Sequence, residues 1–238
     1  LDINIMNIFF LSKCPQLCAQ FHCDKHVVKM IIETAQLLSS AHHLKGSPSL
    51  ADSTDAASSL MALTHQNHPS AIWTREHAEH YKWLSKLGVA LCKEYTHRYH
   101  KTHLREPLLV WLSENIPKDL DSSSDSFVDP PPAMDDAYKV ENDVIESYRN
   151  YYRQAKARFC WWTNRQPPSW FLNGRSILDC IVTCKAMKEY IVDKGFQKLI
   201  PLSSVNSRSL DRIRKKVRKL ELLEEDPRSL VKDEPKSE

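Results

Sequence analysis

Apolar residues recur every three or four positions along most of the chain, the spacing that places them on one face of an α-helix. The clearest example is the stretch 17–43, where an apolar stripe lies beside a stripe of ionisable side chains. We therefore predict one long helix here, ending at the Gly-Ser-Pro sequence near residues 44–48. The apolar stripe contains Val27, Val28, Ile31, Ile32, Ala35 and Leu38, and the ionisable stripe contains His22, His26, Lys29 and Glu33.

The same spacing predicts more helices further along the chain. One begins at Pro69, which suits a first helical turn, and Asn67 or His68 precedes it as a cap. This helix is predicted to run to about Tyr99, with a break near Gly88. The other predicted helices cover 108–116, 140 to the prolines at 167 and 168, and 176–192.

Three segments depart from the helical pattern. The apolar run 3–11 predicts a buried strand or an extended arm packed on helices, and 117–139, rich in Asp, Ser and Pro, predicts an internal loop. Basic and then acidic residues in 201–238 predict a solvated basic helix and a disordered charged tail. We therefore predict an all-α protein with long helices, a short N-terminal extended segment and a single helical domain over 1–200.

Composition excludes several classes of protein. The chain has 238 residues, of which 4 are glycine, and it contains neither GxGxxG nor GxxxxGK[ST], so we expect no classical nucleotide-binding domain. Seven irregularly spaced cysteines favour a reducing, intracellular setting, in the cytoplasm or nucleus of a host cell or associated with a virus. No apolar run is long enough to span a membrane, and we expect the protein to start at Met6.

The histidines are confined to one part of the chain, since all 11 lie between positions 22 and 103. His22 and His26 have a helical spacing that can bind a metal, and His65 and His68 would complete such a site. The alternative is that these imidazoles cap helices and form hydrogen bonds. Because the chain has no HExxH motif, we expect no metal or other cofactor, and a metal-dependent hydrolase is kept as an alternative function.

Asp24 falls within the apolar stripe when the predicted helix is continued backwards, where a carboxylate is costly unless it is paired or used. One interpretation is catalytic, as a general acid or base or as the stabiliser of a developing cation. The other is an N-cap for a helix that starts at Lys25. A lysine near such a site can attack as an amine and form a Schiff base. The further candidate catalytic residues are therefore His22, His26, Lys25 and Lys29.

The stretch 147–171 interleaves basic and aromatic side chains, which predicts contact with nucleic acid, DNA rather than RNA. Cations bind phosphates while aromatic faces stack on exposed bases. The alternative is an amphipathic helix in which Tyr148, Tyr152, Phe159 and Trp162 are core residues. The candidate nucleic-acid-binding residues are Arg75, Arg149, Tyr151, Arg153, Lys156 and Trp161.

Three segments of the chain resemble a family of uncharacterised proteins encoded by tailed phages and large DNA viruses. The segments are LCAQFHCDKHVVKMIIETAQLLSSAHH, THQNHPSAIWTR and SYRNYYRQAKARFCWW. This resemblance covers roughly residues 6–170 and implies a viral or virus-derived protein, without implying an activity.

The segment LCAQFHCD and the tripeptide at 67–69 also resemble endonuclease-V-type pyrimidine-dimer DNA glycosylases, which are small helical proteins. In that family the N-terminal α-amine, beside a catalytic carboxylate, attacks the sugar C1′ of the damaged nucleotide, and the resulting imine permits β-elimination. The resemblance matches Asp24 to that carboxylate, which is typically a glutamate, and His22 and His26 to DNA-contacting cations.

The family's amine has no obvious equivalent in this chain. Asn7 follows Met6, and the bulk of an asparagine disfavours removal of the methionine, so Lys25 or Lys29 would have to replace the α-amine. We therefore expect a DNA-processing protein, most concretely a base-excision DNA glycosylase with or without lyase activity. A non-enzymatic nucleic-acid-binding protein is the alternative, beside the metal-dependent hydrolase.

Overall fold

The computed structural model describes residues 6–47, 60–122 and 127–172. Within these residues the protein has seven α-helices and no β-strand, which confirms the predicted all-α fold. The helices are α1 (Pro15–Phe21), α2 (Asp24–Lys45), α3 (Pro69–Glu76), α4 (Ala78–Tyr99), α5 (Glu106–Glu114), α6 (Val144–Tyr151) and α7 (Ser169–Leu172).

The chain divides into two units, one formed by 1–156 and 160–173 and the other by 157–159 and 174–238. The described part of the second unit is a short 3-10 helix, Ala157–Phe159. The helix predicted at 176–192 and the basic helix and tail predicted at 201–238 lie outside the described residues. The predicted domain boundary at residue 200 therefore stays a prediction.

The stretch 17–43 forms two helices rather than the single predicted one. The backbone is extended at His22 and Cys23, with ψ of 134° and 162°, so α1 ends before them and α2 begins after them. The other end was predicted correctly, because α2 ends at Lys45 and Gly46 follows with a φ of 72°, a conformation that favours glycine.

The buried face of α2 is narrower than the predicted apolar stripe. Val27, Ile31, Ala35 and Leu38 are fully buried, as predicted. In contrast, Val28 and Ile32, which the spacing placed in the same apolar stripe, are 37% and 39% exposed. Each of them follows a buried residue directly and is therefore rotated by about 100° around the helix axis, away from the core.

The predicted break near Gly88 is also wrong, because α4 is continuous there and the break falls at His77, between α3 and α4. A Cβ atom on Gly88 would lie 2.7 Å from Leu109 Cδ2 and 2.9 Å from Thr34 Cγ2. The absence of a side chain at this position therefore allows α2 and α5 to pack closely against α4. The start at Pro69 is confirmed, with His68 as the cap that accepts a hydrogen bond from Ser70 N.

Residues 6–11 form an arm without helix or strand, so for the described part of the segment the arm is supported and the buried strand is wrong. Its side chains are buried among the helices. The segment 117–139 is a loop in its described part, as predicted, apart from a short 3-10 helix at Asp136–Tyr138. Trp73 Nε1 donates to Val128 O at 2.8 Å and thereby holds this loop against α3.

The helix predicted from residue 140 begins at Val144 and is much shorter than expected. After Tyr151 the hydrogen bonding changes to one π-helical turn, Tyr152–Lys156, and residues 160–168 are not helical. Tyr148, Tyr152 and Trp162 are buried core residues, as predicted. No helix in the described ranges has the length and apolar composition needed to cross a bilayer.

Candidate functional site

Asp24 is the first residue of α2, and its carboxylate is held by two other segments. Oδ1 accepts hydrogen bonds from Arg98 Nη1 at 3.0 Å and from Thr163 N at 2.9 Å, and Oδ2 accepts one from Thr163 Oγ1 at 2.7 Å. The N-cap of α2 is Cys23, so the interpretation of Asp24 as an N-cap is wrong. Its carboxylate instead joins the start of α2 to α4 and to the segment after residue 160.

Arg98 extends this contact into a buried ionic network. Its side chain is fully buried, and its Nε donates to Glu94 Oε1 at 2.7 Å. Arg165 donates to both oxygens of the same carboxylate, at 2.6 and 2.7 Å. Burial raises the pKa of Glu94, but hydrogen bonds from Arg165 and the charge of Arg98 outweigh it and hold that pKa below its usual range. With Asp24, the two carboxylates and two guanidinium groups balance in charge.

His22 and His26 are both buried, in contrast to the DNA-contacting cations that the resemblance implied. Burial lowers the pKa of His22 to about 3, so its imidazole is neutral at physiological pH. His22 Nδ1 hydrogen-bonds Cys18 O at 2.7 Å, and no partner for Nε2 is found among the described residues. His26 stacks on Phe9, with ring centroids 4.2 Å apart, and its Nδ1 hydrogen-bonds Tyr152 OH at 2.5 Å.

Glu33, which the sequence placed in the ionisable stripe but not among the candidate catalytic residues, lies between two nitrogen atoms. Lys29 Nζ is 3.0 Å from Glu33 Oε1, and the backbone nitrogen of Asn7 donates to Oε2 at 3.1 Å. The Glu33 side chain is only 10% exposed, whereas that of Lys29 is 48% exposed. A buried carboxylate is thus held next to an amine that reaches the solvent. The spacing of four residues between Lys29 and Glu33 was the available sequence signal.

Asn7 is fixed from several sides. Its Oδ1 accepts hydrogen bonds from Tyr148 OH at 2.7 Å and from Ile8 N at 2.8 Å, and its Nδ2 donates to Ala133 O at 2.9 Å. Tyr148 belongs to α6, so the basic and aromatic helix lies directly beside the segment that contacts Glu33. The Asn7–Glu33–Lys29 cluster therefore has α2 and α6 as its walls, with the extended arm between them.

The candidate nucleic-acid-binding residues of α6 and its π-helical turn are half-buried and partly engaged within the protein. Arg149 donates from Nε and Nη2 to Leu11 O at 3.3 and 3.0 Å. Arg153 is paired with Glu146, and Lys156 Nζ lies 4.6 Å from the centre of the Tyr151 ring. Arg149 and Arg153 thus also hold the structure together, and Lys156 with Tyr151 presents a cation beside an aromatic face.

The remaining predicted residues lie away from this cluster in the sequence and have local partners. Arg75 donates to Gln66 O at 2.6 Å, and His65 Nδ1 hydrogen-bonds Thr64 Oγ1 at 2.6 Å. With His68 capping α3, the structure gives the four-histidine metal site no support. Nowhere in the described ranges do three His, Cys, Asp or Glu side chains form a group that could hold a metal ion. Trp161 is half-buried, and its carbonyl oxygen accepts from Asp24 N at 2.7 Å.

In a comparison with protein families, residues 6–107 match the model of pyrimidine dimer DNA glycosylases. The match confirms the resemblance to these glycosylases and supports DNA as the partner and DNA repair as the general function. It includes Asn7, Asp24, Lys29 and Glu33, whereas α6 lies outside it. No curated protein and no solved structure matches the chain.

Proposed function

We propose that this protein is a base-excision DNA glycosylase with lyase activity, in which Glu33 is the catalytic carboxylate and Lys29 supplies the amine. The observation that carries the proposal is the position of the Glu33 carboxylate, 3.0 Å from Lys29 Nζ and 3.1 Å from Asn7 N, within the segment that matches the glycosylase family. A primary amine beside a carboxylate is the pair that Schiff-base chemistry at a sugar C1′ needs.

Glu33 suits this role better than Asp24 because of its partners. The Asp24 carboxylate accepts three hydrogen bonds from Arg98 and Thr163, and Arg98 is itself fully buried. A carboxylate bound in this way is not available to exchange a proton with a substrate. Glu33 has as its side-chain partner a lysine that is 48% exposed and can turn towards a substrate. It is also a glutamate, as the catalytic carboxylate of the resembled family typically is.

The proposed reaction uses these two side chains in sequence. Glu33 accepts a proton from Lys29, and the neutral amine attacks C1′ of the target nucleotide, so that a C1′–N bond forms as the glycosidic bond breaks. The departing base takes up a proton. Opening of the sugar ring gives an imine on Lys29, and loss of a C2′ proton then expels the 3′ phosphate by β-elimination. The target nucleotide must leave the base stack for C1′ to be reached.

A second amine could occupy the same place. In a chain that begins at Asn7, the α-amine would lie where the backbone nitrogen of Asn7 lies, 3.1 Å from Glu33 Oε2. Met6 is only 4% exposed, so its removal would also open space beside Glu33. Lys29 is our first choice because its amine lies beside Glu33 and its side chain is exposed.

DNA binding is assigned to the surfaces that flank the cluster. Lys25 and Lys29 are exposed along α2, and Lys156 with Tyr151 lies on the neighbouring α6 region. Cations at such positions contact phosphates, and an aromatic face accepts an unstacked base. Binding of this kind would weaken steeply as the salt concentration rises.

The test is to incubate the protein with UV-irradiated duplex DNA and with the same duplex left unirradiated, then to reduce with borohydride. We expect abasic sites, strand cleavage and a covalent adduct with the irradiated duplex only, and peptide mapping should place the adduct on Lys29. Lys29→Ala and Glu33→Gln should abolish the adduct. Lys93→Ala is the matched control, since it removes an exposed lysine of α4 that is not assigned to DNA binding, and its adduct should form normally.

Other outcomes separate the competing proposals. An adduct on the α-amine of a chain that begins at Asn7 would move the nucleophile but keep the role of Glu33. Salt-sensitive DNA binding without abasic sites would contradict the enzyme and favour the non-enzymatic nucleic-acid-binding protein. Activity that appears only with added divalent metal would instead point to the metal-dependent hydrolase.

A further inference from the structure

The side chain of Asn7 is held by α6, by the loop before that helix and by its own neighbour in the chain. Its Oδ1 accepts hydrogen bonds from Tyr148 OH at 2.7 Å and from Ile8 N at 2.8 Å, and its Nδ2 donates to Ala133 O at 2.9 Å. Ala133 N in turn donates to Tyr148 OH at 3.2 Å, which closes a ring of hydrogen bonds. Asn7 and Tyr148 are 6% and 0% exposed, so this ring is shielded from water.

These partners allow the Asn7 amide only one orientation. Ile8 N can only donate and Ala133 O can only accept, so Oδ1 must face the former and Nδ2 the latter. Tyr148 OH has one proton, and it lies 2.7 Å from Asn7 Oδ1 but 3.2 Å from Pro131 O, so the proton serves the shorter contact. Burial raises the pKa of the Tyr148 hydroxyl above its usual value, so the group remains a donor at physiological pH.

Asn7 also supplies the backbone donor to the Glu33 carboxylate. Asn7 N donates to Glu33 Oε2 at 3.1 Å, and the other oxygen, Oε1, lies 3.0 Å from Lys29 Nζ. The Lys29 side chain is 48% exposed, so the contact that fixes the carboxylate is the one to Asn7. A carboxylate that is held at one oxygen by a fixed donor also keeps its other oxygen in place. The direction in which Oε1 points therefore depends on how firmly Asn7 is held.

We propose that Tyr148 is a positioning residue for the pair formed by Glu33 and Lys29. Its hydroxyl fixes Asn7, whose backbone nitrogen then holds the Glu33 carboxylate with Oε1 facing the amine. The inference rests on the proposed function, in which a proton passes from Lys29 Nζ to Glu33 Oε1 before the amine attacks. Such a transfer needs the two atoms within hydrogen-bond distance, and a misplacement of about 1 Å can cost about 100-fold in rate. Tyr148 lies outside residues 6–107, so the family match gives it no role.

The experiment uses the full chain with Tyr148→Phe, which removes the hydroxyl and keeps the buried ring. Single-turnover cleavage of the glycosidic bond in UV-irradiated duplex is followed at a temperature where circular dichroism shows a folded variant. The maximal rate should fall about tenfold or more, while the protein concentration that gives half of it stays at the parent's value. In the Glu33→Gln background the same substitution should change the rate by less than about twofold, because the carboxylate that it positions is absent.

Tyr81→Phe is the matched control, since it removes a hydroxyl from another tyrosine that is 0% exposed. The Tyr81 hydroxyl bonds to His42 Nε2 at 2.8 Å and to Leu112 O at 3.0 Å rather than to the Glu33 cluster. This variant should lose stability but keep the parent's rate. If Tyr148→Phe does not fold, Asn7→Leu tests the same contact, because it removes the amide group and keeps the backbone nitrogen. It should show the same fall in rate.

The results distinguish this inference from the proposed function. A normal rate in Glu33→Gln would contradict the proposed function and the inference together. If Glu33→Gln loses its rate while Tyr148→Phe keeps the rate of the parent, only the inference is overturned. It is also overturned if Tyr148→Phe slows cleavage by the same factor with and without Glu33, or by no more than Tyr81→Phe does.

Discussion

Two carboxylates of α2 lie in very different settings, Asp24 at the first residue of the helix and Glu33 about two and a half turns further along it. Asp24 is held by a buried arginine and a threonine, in a network that also includes Glu94 and Arg165. Glu33 is buried too, but its ionic partner is Lys29, which is 48% exposed. A carboxylate that is bound by rigid buried partners stabilises a fold, whereas one beside a mobile amine can take part in chemistry. Burial alone therefore does not identify the catalytic acid.

The largest effect should come from breaking the Asp24 network. Arg98→Ala would leave the carboxylates of Asp24 and Glu94 buried without this guanidinium, and we expect a loss of about 3–5 kcal/mol in the free energy of unfolding. Urea denaturation measures it. Lys82→Ala is the control, because its ion pair with Glu79 is exposed and should contribute less than about 1 kcal/mol. Equal losses in the two variants would contradict a larger contribution of the buried Asp24 network than of an exposed ion pair.

Acid should weaken the Asp24 region in two separate ranges of pH. His22 has a folded pKa of about 3, lowered from 6.5 by burial, so the unfolded chain binds the extra proton between these values. Stability is therefore greatest above pH 6.5 and falls by about 2 kcal/mol by pH 5. In the His22→Asn variant, the free energy of unfolding, measured by denaturation at several pH values, should vary much less between pH 5 and pH 6.5. A profile that is unchanged by the substitution would contradict the buried, neutral imidazole.

Glu94 is an acid whereas His22 is a base, but both make the free energy of unfolding fall as the pH is lowered. Its folded pKa lies below the usual value of 4.5, so its stabilising contribution is complete above pH 4.5 and is lost as the pH falls through the lowered folded value. The difference in unfolding free energy between the parent protein and Glu94→Gln should therefore shrink only below pH 4.5. A difference that is constant down to pH 3 would contradict the ionic network.

Thr163→Val tests a single contact of the Asp24 network. It removes the hydroxyl that donates to Asp24 Oδ2 and leaves the backbone donor to Oδ1 in place. We expect a loss of about 1.5–3 kcal/mol in unfolding free energy, as for a hydrogen bond to a charged group. The rate at which the folded protein cleaves the glycosidic bond should not change. A large fall in that rate without a loss of stability would return Asp24 to the catalytic candidates.

Of these variants, Lys29→Ala should have the smallest effect on stability, but it should abolish the proposed covalent step. Its ion pair with Glu33 spans one helical turn and is about half exposed, so solvent screening limits its contribution to roughly 0.3–0.5 kcal/mol. Thermal unfolding of this variant beside Lys93→Ala, which removes an exposed lysine of α4, measures the difference. A loss comparable to that of Arg98→Ala would show that the Glu33 cluster is structural as well.

Much of the helical framework could be predicted from the sequence because it depends on local spacing. Pro69, the end of α2 at Lys45 and the burial of Tyr148 and Tyr152 all follow from capping and periodicity. The break at His22 and Cys23 did not follow, since it depends on the docking of Asp24 onto a segment far along the chain. Gly88 was misinterpreted for the same reason, because its role is defined by side chains on two other helices.

The candidate site could be predicted only in part. The sequence pointed to α2, Lys29 and the neighbouring basic helix. Asp24 was chosen as the catalytic carboxylate because a carboxylate within an apolar stripe is costly unless it is paired or used. Arg98 and Thr163, which hold Asp24, lie far from it in sequence, and no local pattern links them. Glu33 was placed in the ionisable stripe but not among the candidate catalytic residues. Its contact with Asn7 appears only when the extended arm packs against α2.

The central claim is that Glu33, rather than Asp24, is the catalytic carboxylate. The most direct measurement compares the single-turnover rate of glycosidic-bond cleavage, measured as abasic sites formed in UV-irradiated duplex, for Glu33→Gln and Asp24→Asn at a temperature where both variants are folded. We predict that Glu33→Gln loses about 100-fold or more in rate, while Asp24→Asn stays close to the parent protein and loses mainly stability. Full activity in Glu33→Gln together with loss of activity in folded Asp24→Asn would contradict the claim.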